Sequence, residues 1–295
     1  MKSTCLLPLR VILWASKRNL FFPPSATMSR PRIPPELLDH VVDFLHDSSD
    51  TLKSCSFVSK SWIPRTRMCL FAKIRFRHAE DLESWNTVFT DPSTSPAMYT
   101  ETLIIESPGV IAAAGTRGDC WLSGFSRVVH LTMSTIETGH EQTVTSLIPF
   151  HGFSPALKSL TLRVASDVAF KPPHIFNLIR SFPLLEDLSL KTRGRDPTEN
   201  GDHGLNERQA ITKSSPAFTG SLELSSHVGM GPFASRLLAL PSGLHFRNLD
   251  LRWDRVEDIS ISTALVEGCC STLESLEIDD GAIFRTSVLH LCRHQ

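Results

Sequence analysis

No G-x-S-x-G, G-x-x-x-x-G-K-[ST], H-E-x-x-H or G-x-G-x-x-G stretch occurs in the 295 residues, so the familiar nucleophile, phosphate-loop, zinc-protease and dinucleotide signatures are missing. A catalytic role is therefore not expected, and no catalytic residue is assigned. Neither sign of charge dominates. With 30 basic against 31 acidic residues the chain has no net field to draw it to nucleic acid or to a membrane surface. No apolar run reaches the about 20 residues a spanning helix needs. The seven cysteines are odd in number and include no C-x-x-C pair, which in a chain of this size excludes a disulfide framework and predicts reduced thiols. Cys269-Cys270 with His290 and His294 is the nearest approach to a metal set. The histidine gap suits zinc, but adjacent cysteines do not. The simpler expectation is that the two cysteines end a helix against a core, so no metal or cofactor is assigned.

What is present is apolar content in two patterns. The first runs from residue 32 to about 76. Pro34 or Pro35 suits the first turn of a helix, where a missing N–H costs nothing, and Glu36 complements the positive end of the helix dipole. Leu37, Leu38, Val41, Val42, Phe44 and Leu45 then recur at offsets that make a stripe wide enough for two contacts, one with a core and one with a partner. The polar run 46–51 supplies N-cap candidates. Leu52, Cys55, Phe57, Val58, Ser61 and Trp62 outline a second helix stopped near Pro64, with a third short helical segment after it.

The second pattern is a repeat. Ile74, Leu103, Leu131, Leu160, Leu188, Leu222, Leu249 and Leu276 stand at intervals of 29, 28, 29, 28, 34, 27 and 27. Each is followed two residues later by a further apolar residue, from Phe76 to Ile278. Most are preceded by three with Phe71, Val128, Leu157, Leu185, Phe246 or Leu273, giving L-x-x-L-x-L. Thr100 and Thr219 stand where that apolar residue is expected. Such a period predicts one short parallel strand and one return segment per unit, with neighbours burying a continuous core. Helical return segments are predicted near 79–89, 174–182, 234–240 and 256–269. The 34-residue interval holds a polar, Gly-rich stretch, expected as a loop insertion over 191–216. At the chain end, Val288, Leu289 and Leu291 read either as an incomplete further unit or as a makeshift cap.

Strand alternation sends the residues between core positions outward, and they are nearly all polar. Eight strands about 4.8 Å apart give a face about 35 Å long, enough for a folded partner or an extended peptide. Arg163, Lys191, Asp250, Arg252, Glu277 and Asp279 are the candidate substrate-binding residues on that face. Arg163 and Arg252 also suit a carboxylate or phosphate.

The Ile33-Pro34-Pro35-Glu36-Leu37-Leu38 opening and the Val58-Ser59-Lys60-Ser61-Trp62 ending resemble an F-box, and the repeats resemble degenerate leucine-rich repeats, since their usual Asn or Cys ladder position holds Pro108, Ile136, Ala165, Arg193, His227, Asp254 and Gly281. The resemblance implies an α+β or α/β chain: a short N-terminal helical F-box over 32–76, then an irregular leucine-rich-repeat solenoid over 71–295 with parallel strands on its concave face. It further implies a non-catalytic adaptor of a Skp-cullin-F-box type ubiquitin ligase. Ile33, Pro34, Leu37, Leu38, Val41, Leu45, Leu52, Val58 and Trp62 would then dock a Skp-type adaptor or support the docking. The repeats would hold an unknown protein substrate, with no nucleic acid and no membrane involved. The alternative is a repeat scaffold without a ligase connection, its helices only capping the repeats.

Residues 1–31 are read as an unstructured or targeting-like extension. Lys2, Arg10, Lys17 and Arg18, with no acidic residue before Glu36, resemble a mitochondrial or secretory leader, but Arg10 interrupts its apolar stretch. With Met28 just ahead of the helical pattern, residues 1–27 are taken as an upstream extension that does not fold. Whether Met1 or Met28 is the start stays open, and a cytoplasmic or nuclear chain is expected.

Overall fold

The computed structural model describes residues 34–91, 94–107, 109–110, 121–134, 153–165, 172–193, 218–226, 231–240, 243–253, 259–279 and 287–290. They fall in two compact units. One takes in the chain up to Leu70 together with Asp81–Ser95, and the other Phe71–Glu80 together with Pro96–Gln295. Ile33, residues 1–31 and most of the predicted insertion lie outside the described residues.

In the first unit α1 spans Pro35–Phe44, with Pro34 as N-cap at φ −52° and ψ 137° and Glu36 in the first turn. α2 spans Ser49–Val58; the Ser48 hydroxyl caps it by accepting the Thr51 N–H at 3.4 Å. The sequence expectation of one helix running to Pro64 is corrected here. The chain leaves α2 at Ser59, whose backbone is extended, and makes a 3₁₀ turn over Lys60–Trp62. Pro64 then sits at the second residue of α3 (Ile63–Phe71), where a proline starts a helix rather than stopping one. Val42, Leu52, Cys55 and Thr66 are buried, and the Thr66 hydroxyl donates back to the Trp62 and Ile63 carbonyls.

The second unit is built on a nine-stranded sheet in the order β1 to β9, the first eight all parallel. The strands are β1 Lys73–Phe76, β2 Thr102–Ile105, β3 His130–Ser134, β4 Ser159–Ala165, β5 Asp187–Arg193, β6 Ser221–Ser226, β7 Asn248–Trp253, β8 Ser275–Asp279 and β9 Ser287–His290. Ile74, Leu103, Leu131, Leu160, Leu188, Leu222, Leu249 and Leu276 are direct neighbours from strand to strand, so the spacing read in the sequence is the register of the sheet. β9 pairs antiparallel with β8, Leu276 opposite Leu289. The last strand among the described residues is thus a reversed addition, not another parallel unit. β5 also runs on through Lys191 to Arg193, three residues into the predicted loop.

Helices stand between strands in the chain where the apolar periodicity placed them: α4 Ala79–Val88, which from Asp81 on belongs to the first unit, and α5 Pro172–Arg180, α6 Gly231–Leu238 and α7 Ile259–Cys269 in the second. α5 buries Ile175, Phe176, Leu178 and Ile179, and the Phe176 ring lies 5.1 Å from that of Phe233 in α6. α7 ends at Cys269, which is buried, so that its thiol is pushed up to about 11, while Cys270 just beyond is exposed. Among the described residues no helix is long and apolar enough to cross a membrane.

Each crossing into a strand repeats one hydrogen-bond pattern. The carbonyls of Ala72, Glu101, Val129, Lys158, Gly220 and Arg247 each accept two consecutive amides from the next unit, at 2.7–3.3 Å. The unit after the 34-residue interval departs from it. Glu186 accepts only the Gly220 N–H, at 3.2 Å, and the Ser221 N–H donates instead to the Asp187 carboxylate at 2.7 Å. Phe218, one residue before the expected Thr219, fills the core there with φ +42°, its ring 5.1 Å from Phe246. Thr219 is exposed. Thr100, by contrast, does occupy its apolar position, fully buried with its hydroxyl unpaired.

Two stability changes follow. A Cβ at Gly220 would collide with the Asp187 carboxylate and crowd the Glu186 carbonyl at 3.1 Å. Gly220→Ala should cost about 1–3 kcal/mol in urea unfolding, and less in an Asp187→Ala background, where the obstructing group is gone. Thr100→Val keeps the volume and removes a buried unpaired hydroxyl, so it should stabilise by on the order of 1 kcal/mol in the same measurement.

Candidate functional site

Two surfaces stand out, one in each unit. In the first, the two apolar stripes of α1 part company. Leu38, Val42 and Leu45, spaced i, i+4, i+7, are half-buried or buried, whereas Leu37, Val41 and Phe44, at the same spacing one residue earlier, are exposed to 55%, 47% and 86%. At the end of α2, Phe57 and Val58 are exposed to 78% and 68%. Both helices pack on the Lys60–Trp62 turn. Three large apolar side chains over about two turns of α1 and two adjacent ones in the last turn of α2 are more than scattered surface hydrophobicity.

Of the residues singled out from the sequence, Pro34, Leu37, Val41 and Val58 are exposed, and Leu38, Leu45 and Trp62 are half-buried. Leu52 is 1% exposed and can only support such a surface from beneath. Phe44 and Phe57, its two most exposed members, were not among them. Their signal was present, since both are large apolar residues inside the helical pattern, but helix spacing alone does not say which of two stripes turns inward.

The frame under this surface is ionic. Arg65 on α3 donates to Asp43 on α1 through Nε at 2.7 Å and Nη2 at 2.6 Å, and the Cys69 thiol lies 3.9 Å from the same carboxylate. The Arg65 hydrogen bonds hold the Asp43 carboxyl below its ordinary range, and Asp43 in turn raises the Arg65 guanidinium. Burial pushes the Cys69 thiol up, which keeps it protonated.

The second surface is the polar face of the parallel sheet. The six candidate substrate residues fall in two adjacent rows of the register. Arg163, Lys191, Ser225, Arg252 and Asp279 are successive neighbours in one, and Thr161, Ser189, Glu223, Asp250 and Glu277 in the other. Three carboxylates therefore stand side by side on β6, β7 and β8, an arrangement that costs stability unless cations lie between them. Lys191 reaches Glu223 at 2.6 Å, and Arg252 makes a two-pronged contact with Asp250 at 2.9 and 2.8 Å and reaches Glu277 at 3.6 Å. Partial burial raises Glu223, but its hydrogen bonds with Lys191 and Ser189 outweigh this and hold it below the usual carboxylate range. Lys191 and Arg252 are thus engaged within the face. Arg163 is exposed and makes no ion pair among the described residues.

No family model, no curated protein and no solved structure matches this chain.

Because Asp43 has a lowered carboxyl in the folded chain, its contribution to stability is present above the ordinary aspartate range and is lost as pH falls through the folded value. The urea midpoints of the native chain and of Asp43→Asn should therefore differ at neutral pH and converge on acidification. A gap that persists unchanged in acid would assign the effect to something other than the Arg65 pair.

Proposed function

We propose that this chain is the substrate-recognition subunit of a Skp-cullin-F-box type ubiquitin ligase, with the α1–α3 unit as its F-box and the sheet unit as a degenerate leucine-rich-repeat receptor. The observation that carries the reading is the split of α1. One stripe, Leu38, Val42 and Leu45, turns inward, and the parallel stripe of Leu37, Val41 and Phe44 faces solvent beside no other described element of its own unit that buries it. A helix serving only as a cap has no need of a second apolar stripe, whereas a docking helix does, with large apolar anchors dominating the affinity. The in-register L-x-x-L-x-L core and helical returns support the repeat reading of the second unit. Its polar face, with Arg163 exposed and the Lys191, Glu223, Asp250, Arg252 and Glu277 network beside it, is the proposed surface for a protein substrate. The chain performs no bond chemistry in this role.

The full chain should co-purify with a Skp-type adaptor, and Leu37→Asp with Phe44→Asp should abolish that while leaving the circular dichroism unchanged, since both side chains are already in solvent. Failure of the folded native chain to bind would leave a repeat scaffold with a helical cap. Binding retained by the double variant would place the docking surface elsewhere.

A further inference from the structure

We propose that the polar face of the parallel sheet takes an extended protein segment whose own charges are sorted, acidic where it crosses β1–β4 and basic where it crosses β6–β8. This deepens the reading of that face as the substrate surface and rests on it.

The face is polarised along the sheet. One register row begins at Arg75 on β1, is uncharged from Ile104 on β2 to Ser189 on β5, and ends in Glu223, Asp250 and Glu277. The outward positions on either side follow the same gradient. Among the described side chains on β1–β4 and just past the ends of β1 and β2, Lys73, Arg75, Arg77 and Arg163 stand against Glu106 alone. On β5–β8 it is Lys191 and Arg252 that stand against Asp187, Glu223, Asp250, Glu277 and Asp279. The chain as a whole holds 30 basic and 31 acidic residues, so the separation belongs to this face and not to the composition.

Pairing within the face does not cancel it. Glu106 lies between Arg75 and Arg77, at 2.6 and 3.8 Å, while Lys73 and Arg163 are exposed and make no ion pair among the described residues. At the other end Arg252 is shared by Asp250 and Glu277, at 2.8 and 3.6 Å, and Asp279 makes no ion pair among the described residues. Like charges on adjacent strands repel, so alternating signs would give a more stable face. A sorted face instead sets up a field that a partner of the opposite order cancels. Between the charged ends, Thr132, Ser134, Ser159 and Thr161 supply half-buried hydroxyls, which can donate to or accept from a peptide backbone whatever its side chains. From β1 to β8, strands about 4.8 Å apart span about 34 Å, the length of about ten extended residues.

The test is fluorescence anisotropy of labelled peptides of about ten residues with the full chain, in the absence of adaptor. The block peptides carry glutamates at one end, serines in the middle and lysines at the other, in both chain directions; the control has the same composition with the signs alternating. At low ionic strength one block peptide should bind severalfold more tightly than the control, and salt should remove the difference. Arg163→Glu and Asp279→Lys should each weaken that peptide severalfold, with the circular dichroism unchanged. Equal binding of block and alternating peptides, binding of neither, or a preference that both variants leave intact would overturn the proposal. Self-association of the chain that Arg163→Glu abolishes would give the face to a second copy and overturn it too. Block-peptide selectivity in a chain that binds no Skp-type adaptor would refute the ligase reading alone, and adaptor binding without that selectivity would refute this inference alone.

Discussion

The structure of the sheet unit depends on one backbone device, a carbonyl that at six of the crossings into a strand accepts two consecutive amides from the next unit. A peptide oxygen has two lone pairs, and using both at each crossing satisfies amides that would otherwise be buried unpaired where the chain turns from the core into the strand. The same bond pair fixes where the next strand begins relative to the last. A one-residue slip would turn every Leu of the following strand outward and every Ser, Asp or Glu inward. Register and core therefore share one cause. The alternation of buried and more exposed residues along β1 to β7 repeats without a shift, and the entry bond repeats with it at every crossing among them except the one into β6.

The crossing after the long interval shows how much variation the device tolerates. There the chain arrives with Phe218 in the left-handed region, a conformation that costs an aromatic residue about 1 kcal/mol or more, and with one amide turned from the Glu186 carbonyl to the Asp187 side chain. The core position is nevertheless filled, by a residue one place early, and Leu222 still pairs with Leu188. Burying a Phe side chain outweighs the local strain. Gly220 is the accommodation that makes it workable, because only a residue without Cβ can pass the Asp187 carboxylate.

Much of this was legible in the sequence, because a period of 27 to 29 residues with apolar positions two apart encodes strand, face and neighbour at once. The six candidate residues of the polar face fell into two register rows for that reason. What the period cannot encode is how side chains on that face pair. Arg252 folds back on Asp250 and Lys191 crosses to Glu223, choices made by rotamer and local field rather than by spacing, and they engage both cations within the face. Phe218 was illegible for a related reason. A pattern match assigns one residue per position and has no means of showing a left-handed turn that shifts the chain by one. The end of α2 was misplaced because Pro64 reads as a stop, when a proline near the start of a new helix is equally compatible with its geometry.

The α1–α3 unit is governed by a different constraint, which bears on why its surface is apolar at all. With helices of nine or ten residues there is little interior to fill: Val42, Leu52, Cys55 and Thr66 are the buried residues of α1, α2 and α3, Leu82 and Trp85 those of the part of α4 that belongs to the same unit, and the second stripe of α1 stays exposed. The unit offsets this with connections that do not rely on apolar area. A two-pronged Arg65–Asp43 pair ties α3 to α1, a Ser48 cap starts α2 and a doubly bonded Thr66 hydroxyl closes the first turn of α3. These polar ties hold α1 in place without using its outer face. Leu37, Val41 and Phe44 thus stay exposed at no cost to the helices that present them, and a partner that covered them would add apolar burial that such short helices do not supply for themselves.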